Sequence, residues 1–344
     1  MAKNRNKTIL VTGGLGFIGS HTVVELQKEG YNVIIVDNLS NSNIKVLDGI
    51  TKITGIKPAF HQFDLLDKEK THQLFKDHKI DGVIHFAASK AVGESVEKPL
   101  MYYENNIGSL INILNAMIEN ESQNIIFSSS CTVYGQADTL PIKETAPLKP
   151  AESPYGNTKK VNEDILVDTC KVSKVNAIAL RYFNPIGAHP TSHIGELPIG
   201  VPQNLIPYVT QTAAGIREQL SVFGDDYPTP DGTAIRDYIH VVDLAKAHIA
   251  ALERLLKKQN KNSIEFFNVG TGKGSSVLEV INAFKTATGQ PLNYKIVGRR
   301  AGDITAAYAD TKLVSDELGW QTELTLEDAL RDAWNWQKKL LSEY

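Results

Sequence analysis

The stretch "SPYGNTKK", Ser153 to Lys160, sets a tyrosine four residues before a lysine. On a helix Tyr155 and Lys159 share one face and can meet. The spacing alone is weak. With 12 Tyr and 28 Lys in 344 residues, about one Tyr-x-x-x-Lys arises by chance. A second copy runs from Tyr308 to Lys312. Company separates the two. Upstream of Tyr155 lies "FSSSCTVYG", whose serines fall at the C-terminal end of a predicted strand; Tyr308 has no such partner. A free tyrosine has a pKa of about 10, so roughly 0.1% is phenolate at pH 7, and lowering the value by about three units takes roughly 4 kcal/mol. Lys159 offers a cation at short range, which shifts a pKa by this order. If the strand runs on past Ser130, Ser130 and Thr132 share a face, and either hydroxyl can hold a substrate oxygen. These parts suit alcohol oxidation, in which a base takes the hydroxyl proton while a nicotinamide accepts hydride from the same carbon.

The nucleotide half is written in "ILVTGGLGFIGSH". Gly14, Gly16 and Gly19 spell G-x-G-x-x-G, and Gly13, Gly16 and Gly19 spell G-x-x-G-x-x-G. A predicted strand precedes them and an amphipathic helix follows, the context that gives such a motif meaning. Glycines let backbone N–H groups approach a pyrophosphate, and the helix N-terminus faces the anion with partial positive charge. Asp37 ends the second strand, in "VIIVDN". A carboxylate there accepts from ribose hydroxyls and repels a 2′-phosphate, which favours NAD over NADP. The oxidised nicotinamide is then a second cation for Tyr155. "FAAS", Phe86 to Ser89, ends another strand with small side chains that leave room for a ligand.

The elements that must position these residues alternate. "TILVTG", "NVIIVD", "DGVIHFAA", "NIIFSSS" and "NAIALRYF" read as strands buried on both faces. Helical patterns lie between them, around 18–29, 67–78, 98–119 and 155–172. This alternation predicts an α/β fold with a doubly wound parallel sheet of Rossmann type. After Asn184 the character changes, with Pro185, Gly187, Pro190, Gly195, Pro198, Gly200 and Pro202 in one span. It reads as a linker or, at least as well, as an ordered loop over a ligand, followed closely by a helical pattern at 203–216. The expected division is residues 1–183 for the dinucleotide and mainly 184–344, a smaller mixed α/β unit, for the substrate. The helix at 239–258 is expected to return to the first unit.

Composition excludes several classes. The chain is 42% hydrophobic and 22% charged, with net charge -3, which gives no basic face for nucleic acid. Lys257, Lys258 and Lys261 read as a solvated loop. Two cysteines, Cys131 and Cys170, form no disulfide scaffold and suit a reducing compartment. No Cys/His spacing suggests a metal. "MAKNRNKT" carries no signal-like apolar region, and no segment is long enough to cross a bilayer. The expected location is the cytoplasm.

"VTGGLGFIGSH", "SSSCTVYG", "SPYGNTK" and "RYFNPIGAHP" resemble the extended short-chain dehydrogenases that act on nucleotide sugars. "HFAASKAVGESVEKPLMYYENN" and "DYPTPDGTAIRDYIHVVDLA" narrow the resemblance to the UDP-glucose (UDP-galactose) 4-epimerase family, over about Lys7 to Trp336. The resemblance implies reversible inversion at sugar C4 through a 4-keto intermediate, with tightly held NAD, a UDP-hexose substrate and a homodimer built on the helices near 98–119 and 155–172. It implies Tyr155 as base, Lys159 as its partner, and Ser130 with Thr132 as the hydroxyl pair. It places NAD against Gly13, Gly16, Phe17, Ile18, Gly19, Asp37, Asn38, Leu39, Ser40, Asn41, Ser42, Asp64, Leu65, Phe86, Ala87, Ala88, Ser89, Lys90, Asn105, Phe183 and the catalytic residues Ser130, Tyr155 and Lys159. The UDP-sugar falls to Ser130, Thr132, Tyr155, Asn184, Asn204, Leu205, Ser221, Val222, Phe223, Arg236, Arg300, Asp303 and Ala307. Arginines suit a diphosphate in a chain of net charge -3.

One departure concerns specificity. The family often carries a bulky tyrosine where Ala307 stands, and in an extended segment Tyr308 faces the other way. A roomier sugar pocket is expected, open to UDP-GlcNAc and UDP-GalNAc. Two other readings compete. A 4,6-dehydratase carries an Asp-Glu pair after the catalytic hydroxyl, where Val133 and Tyr134 stand here. A non-catalytic NAD-sensing protein need not keep Tyr155, Lys159 and a substrate loop together.

Overall fold

The computed structural model describes residues 5–300 and 303–343. Its first half alternates strand and helix. β1 (Thr8–Thr12), α1 (Phe17–Lys28), β2 (Asn32–Asp37), α2 (Val46–Thr54), β3 (Ala59–Gln62), α3 (Lys68–Asp77) and β4 (Gly82–His85) come first. α4 (Val92–Glu97), α5 (Pro99–Glu119), β5 (Asn124–Ser130), α6 (Pro154–Val172) and β6 (Asn176–Tyr182) follow. The chain then passes through β7 (Asn184–Ile186), α7 (Leu205–Ala213), β8 (Leu220–Phe223), β9 (Ile235–Arg236), β10 (Tyr238–His240), α8 (Val241–Leu256) and β11 (Ile264–Val269). It ends with β12 (Ser275–Ser276), α9 (Val277–Thr288), β13 (Tyr294–Val297), β14 (Ala306–Ala307), α10 (Lys312–Leu318) and α11 (Leu326–Glu343).

Seven strands form the main sheet in the order β11-β6-β5-β4-β1-β2-β3, all parallel. The fold is the doubly wound α/β fold that the alternation predicts. The order reverses between β1 and β4, and open sheets of this kind bind ligands outside the strand C-termini at that point.

The sequence explains the two layers of helices. In β1, Ile9 and Val11 face one cluster and Leu10 the other; in β5, Ile126 faces one and Ile125 with Phe127 the other. Successive side chains point to opposite faces, so a continuous apolar run feeds two cores. α1, α2 and α8 cover one face through Val23, Leu26, Leu47, Ile50, Ala247 and Leu252. α3, α5 and α6 cover the other through Leu74, Phe75, Leu110, Ile113 and Leu166. α8 lies against α1, and β11 pairs with β6, so residues from beyond Asn184 join the main sheet and its helix layer.

A third core, with Ile206, Val209, Leu220, Val222, Phe284, Leu330 and Trp334, binds α7, β8, α9 and α11 together. A small fourth core holds Val133, Tyr134, Ile142, Phe183, Ala307 and Ala309 between the main sheet and β14. Among the described residues no helix is long and apolar enough to cross a membrane.

Candidate active site

α6 starts sharply. Ser153 caps it by accepting from Gly156 N at 3.2 Å, and Pro154 occupies the first turn, where its missing N–H costs nothing. That start places Tyr155 in the first turn, facing the end of β5. The Ser130 hydroxyl lies near the Tyr155 phenol and favours its phenolate. Lys159 Nζ donates to Ser128 O at 2.6 Å and lies 5.8 Å from the Tyr155 ring centroid.

β5 does not continue through Thr132, so strand alternation does not put the two hydroxyls on one face. The strand stops at Ser130, and Cys131–Tyr134 form a 3-10 turn. Ser130 Oγ accepts from Thr132 N at 3.2 Å, a local side-chain bond of the kind that competes with a ladder. The turn, not strand alternation, sets where Thr132 lies. Its Oγ1 is buried without a protein partner, and a Cβ on Gly156 would sit 3.5 Å from Thr132 Cβ.

Electrostatics in the pair are dominated by burial. It pushes the Tyr155 phenol up to about 12, against the pull of the nearby Ser130 hydroxyl. It draws Lys159 down to about 8, with Glu163 opposing. Protein groups alone therefore leave Tyr155 a neutral phenol at pH 7. The second Tyr-x-x-x-Lys pair has no such setting. Tyr308 packs against Gly274, while Lys312 is exposed and bonded to Asp316 at 2.6 Å.

The glycine turn joins β1 to α1 at the C-terminal edge of the sheet. Gly13 has φ +66°, and a Cβ there would meet Ala87 N at 2.9 Å. A Cβ on Gly19 would lie 2.2 Å from Gly13 O. α1 begins at Phe17 and Ile18 with no side-chain cap and no acid in its first turn, so its amide donors are left to a ligand. Asp37 accepts from Leu15 N at 3.1 Å, Leu39 N at 2.9 Å and Ser42 Oγ at 2.7 Å. A carboxylate has about four lone-pair sites, which leaves room for a ribose hydroxyl. The turn and Asp37 thus fit a dinucleotide.

The other expected cofactor residues ring this edge. Asn38 Nδ2 donates to Asp64 Oδ2 at 2.8 Å, and Ser40 N to Asn38 Oδ1 at 2.9 Å. Asn41 is exposed in the same bend, and Leu65 is buried beside α5. Phe86 N and Ala87 N bond to Thr12, at its carbonyl (3.1 Å) and its hydroxyl (3.3 Å). Ala88 follows, and Ser89 Oγ accepts from Asn105 Nδ2 at 3.2 Å. Phe183 is buried, with its N–H on Val269 O at 3.3 Å.

Across the edge stands the C-terminal unit. Asn184 N bonds to Asp237 O at 3.0 Å. Lys90 Nζ reaches Glu196 Oε1 at 3.3 Å, and Asn204 Nδ2 reaches the same oxygen at 2.7 Å, just ahead of Leu205 in α7. Arg236 and Asp303 form an ion pair. Arg300 is exposed and meets Asp303 through the bond from Asp303 N to Arg300 O, at 3.2 Å. Ser221, Val222 and Phe223 lie on β8, with Val222 buried and Phe223 exposed. Ala307 is buried beside Phe183 and Val133.

With this arrangement described, comparison with known proteins is direct. Over 337 residues the chain is 50% identical to the UDP-glucose 4-epimerase uge1 of Schizosaccharomyces pombe, covering 96% of this chain and 94% of that protein. This chain belongs to the UDP-glucose 4-epimerase family. The family profile described as GDP-mannose 4,6 dehydratase also matches residues 10–333. Among solved structures, the UDP-glucose 4-epimerase of Stenotrophomonas maltophila with bound NAD and formylated UDP-arabinopyranose has a TM-score of 0.95 and 47% identity, covering 98% of this chain and 100% of that one. The Bifidobacterium longum UDP-glucose 4-epimerase in complex with NAD+ and UDP has a TM-score of 0.93 and 47% identity, with the same coverage.

In this member of the epimerase family several residues at the site are given no role by the sequence reading. Asn106 Oδ1 accepts from Ser89 N at 2.8 Å, and its Nδ2 donates to Thr158 Oγ1 at 3.0 Å, tying the post-β4 loop to α6. Glu196 bridges Lys90 and Asn204 from inside the Pro/Gly-rich span. Glu163 and Arg181 form a buried pair behind Lys159. Asn106 and Arg181 fall within quoted motifs, and Glu163 stands one helical turn after Lys159; Glu196 carries no such signal.

Proposed function

We propose that this protein catalyses the reversible C4 epimerisation of UDP-hexoses, UDP-glucose and UDP-galactose, with tightly held NAD. The observation that carries this is Lys159 set between the end of β5 and the Tyr155 ring, at the same sheet edge as the glycine turn and Asp37, in a chain of epimerase relatives. NAD, when bound, supplies the reversible hydride acceptor at C4 and a positive ring beside Tyr155.

The chain's own work is to bind, orient and move a proton. Tyr155 takes the proton of the sugar 4-hydroxyl and later gives it back. Ser130 and the partner-free Thr132 hydroxyl hold that oxygen in line. Lys159 stabilises the phenolate and holds the nicotinamide ribose. Arg236, Arg300 and Asp303, with Asn184, Asn204, Leu205 and Ser221–Phe223, grip the UDP. The 4-keto sugar can then turn about its diphosphate linkage while staying anchored. Residues 1–183 with the helix at 239–258 serve the dinucleotide, and most of 184–344 serves the sugar nucleotide. Denaturing the purified protein is expected to release about one NAD per chain; release of none would remove the cofactor from this reading.

The 4,6-dehydratase alternative lacks its acid. Val133 is buried, and the buried Tyr134 hydroxyl is committed to Asn268 Oδ1 at 2.7 Å and Arg181 Nη1 at 2.9 Å. Ala307 supports a broader sugar range. It faces the fourth core beside Phe183, while Tyr308 turns to Gly274 on the other side. An Ala307→Tyr variant is expected to lose UDP-GlcNAc turnover at least about tenfold while UDP-galactose turnover stays within about threefold. Equal loss of both would mean that Ala307 is packing alone.

A homodimer through α5 and α6 fits the exposed Leu100, Ile111 and Ile118 of α5. The free cysteines, Cys131 and Cys170, suit a cytoplasmic location.

A further inference from the structure

Three consecutive serines at the end of β5 meet three residues spaced four apart on α6. The Ser130 hydroxyl lies near the Tyr155 phenol, the Ser128 carbonyl accepts from Lys159 Nζ at 2.6 Å, and Ser129 Oγ donates to Glu163 Oε1 at 2.6 Å. Positions i, i+4 and i+8 lie on one helical stripe, so the serine run and α6 dock as a ladder. The proposed reaction uses the first two rungs. The third has no role in it, yet it is the most heavily tied. Arg181 of β6 grips Glu163 with both ends of its fork, Nε to Oε1 at 2.9 Å and Nη2 to Oε2 at 2.6 Å. Both residues are buried, Glu163 2% and Arg181 4% exposed.

A buried ion pair is a poor stabiliser compared with apolar residues of the same shape, so stability alone is a weak reason for one here. We propose that Glu163 is a positioning residue for the catalytic pair: it clamps the serine strand to α6 through Ser129 and Arg181, and gives Lys159 a negative neighbour one helical turn away. The proposal rests on the reading of Tyr155 and Lys159 given above.

Other groups facing Lys159 do not replace Glu163. His85 of β4 is held neutral by burial, at about 3. Phe127 of β5 presents its ring 5.1 Å from Nζ. Tyr182 of β6 is a neutral phenol bonded to Ser128 Oγ. Tyr155 is neutral until it gives up its proton. Arg181, a cation beside this group, binds Glu163 through Nε and Nη2 and the Tyr134 hydroxyl through Nη1. Glu163 is the anion that favours the ammonium form of Lys159.

The test compares kcat against pH for the NAD-loaded wild type, Glu163→Gln, Glu163→Asp and Tyr155→Phe, with UDP-galactose as substrate. Glu163→Gln is expected to lower kcat at least about tenfold with KM within about twofold, and to move the alkaline limb down by about one pH unit. Glu163→Asp keeps the charge and is expected to keep the limb in place. If Glu163→Gln does not fold because Arg181 is left unpaired, the double variant Glu163→Gln/Arg181→Met removes that cation, and its limb is expected to move in the same direction. An unmoved limb with kcat within twofold of wild type, in Glu163→Gln or, where that does not fold, in the double variant, overturns the proposal, as does a limb that moves equally in Glu163→Asp. An active Tyr155→Phe protein would instead overturn the underlying reading, which keeps the two failures distinct.

Discussion

Replacing Tyr155 with phenylalanine is expected to lower kcat by about 1,000-fold, within the range of a lost general acid–base group. The change deletes one oxygen from a buried ring. Ser130 keeps its bond from Thr132 N, and the glycine turn is untouched, so NAD content and melting temperature should stay close to wild type. The size follows from the charge the hydroxyl must carry. Burial sets the phenol at about 12, and bringing it near 7 takes roughly 7 kcal/mol of preferential stabilisation. Stopped assays with UDP-galactose, alongside nucleotide absorbance of the same preparation, check both halves of the prediction.

Lys159→Met carries the second largest expected effect, a fall in kcat of at least about 100-fold. Methionine fills the same buried space with an unbranched apolar chain, so the loss is of charge and of the bond to Ser128 O, not of volume. The pH profile separates these from a packing defect. In the wild type the ammonium is the active form, and its value is depressed to about 8. Activity should therefore be present below that region and decline as pH rises through it. The methionine variant has no such group to lose. Its low activity should rise with pH as more Tyr155 ionises, with no alkaline decline. A variant whose profile keeps the wild-type shape would mean that Lys159 acts only through packing.

These two residues were legible in the sequence because local rules place them. A serine cap, a proline in the first turn and a four-residue spacing put Tyr155 and Lys159 on one face without any knowledge of the rest of the fold. The glycine turn and Asp37 were legible for the same reason, as was the sheet, since runs such as "TILVTG" can feed two cores only if both faces are covered.

What the sequence hid depends on distance along the chain. Glu163 and Arg181 are 18 residues apart and each reads as an ordinary charged position, yet they meet in the interior. Glu196 joins Lys90 to Asn204 across 106 and 8 residues, and no periodicity encodes that. The short helix α2 went unread, lying between two strands in a segment rich in Asn and Ser. The position of Thr132 stays conditional at the level of sequence, because whether Ser130 ends its strand by a side-chain bond is a choice between two local bonds that composition does not settle.

The most direct test of the central claim uses the purified wild-type protein and UDP-galactose with no nucleotide added. Proton NMR of the sugar anomeric signal distinguishes the two C4 configurations over time. The account predicts conversion to an equilibrium mixture with UDP-glucose, approached equally from either side, with no net change in bound NAD. A sugar nucleotide that stays unconverted, or that turns over only when free NAD is supplied in stoichiometric amounts, would contradict it.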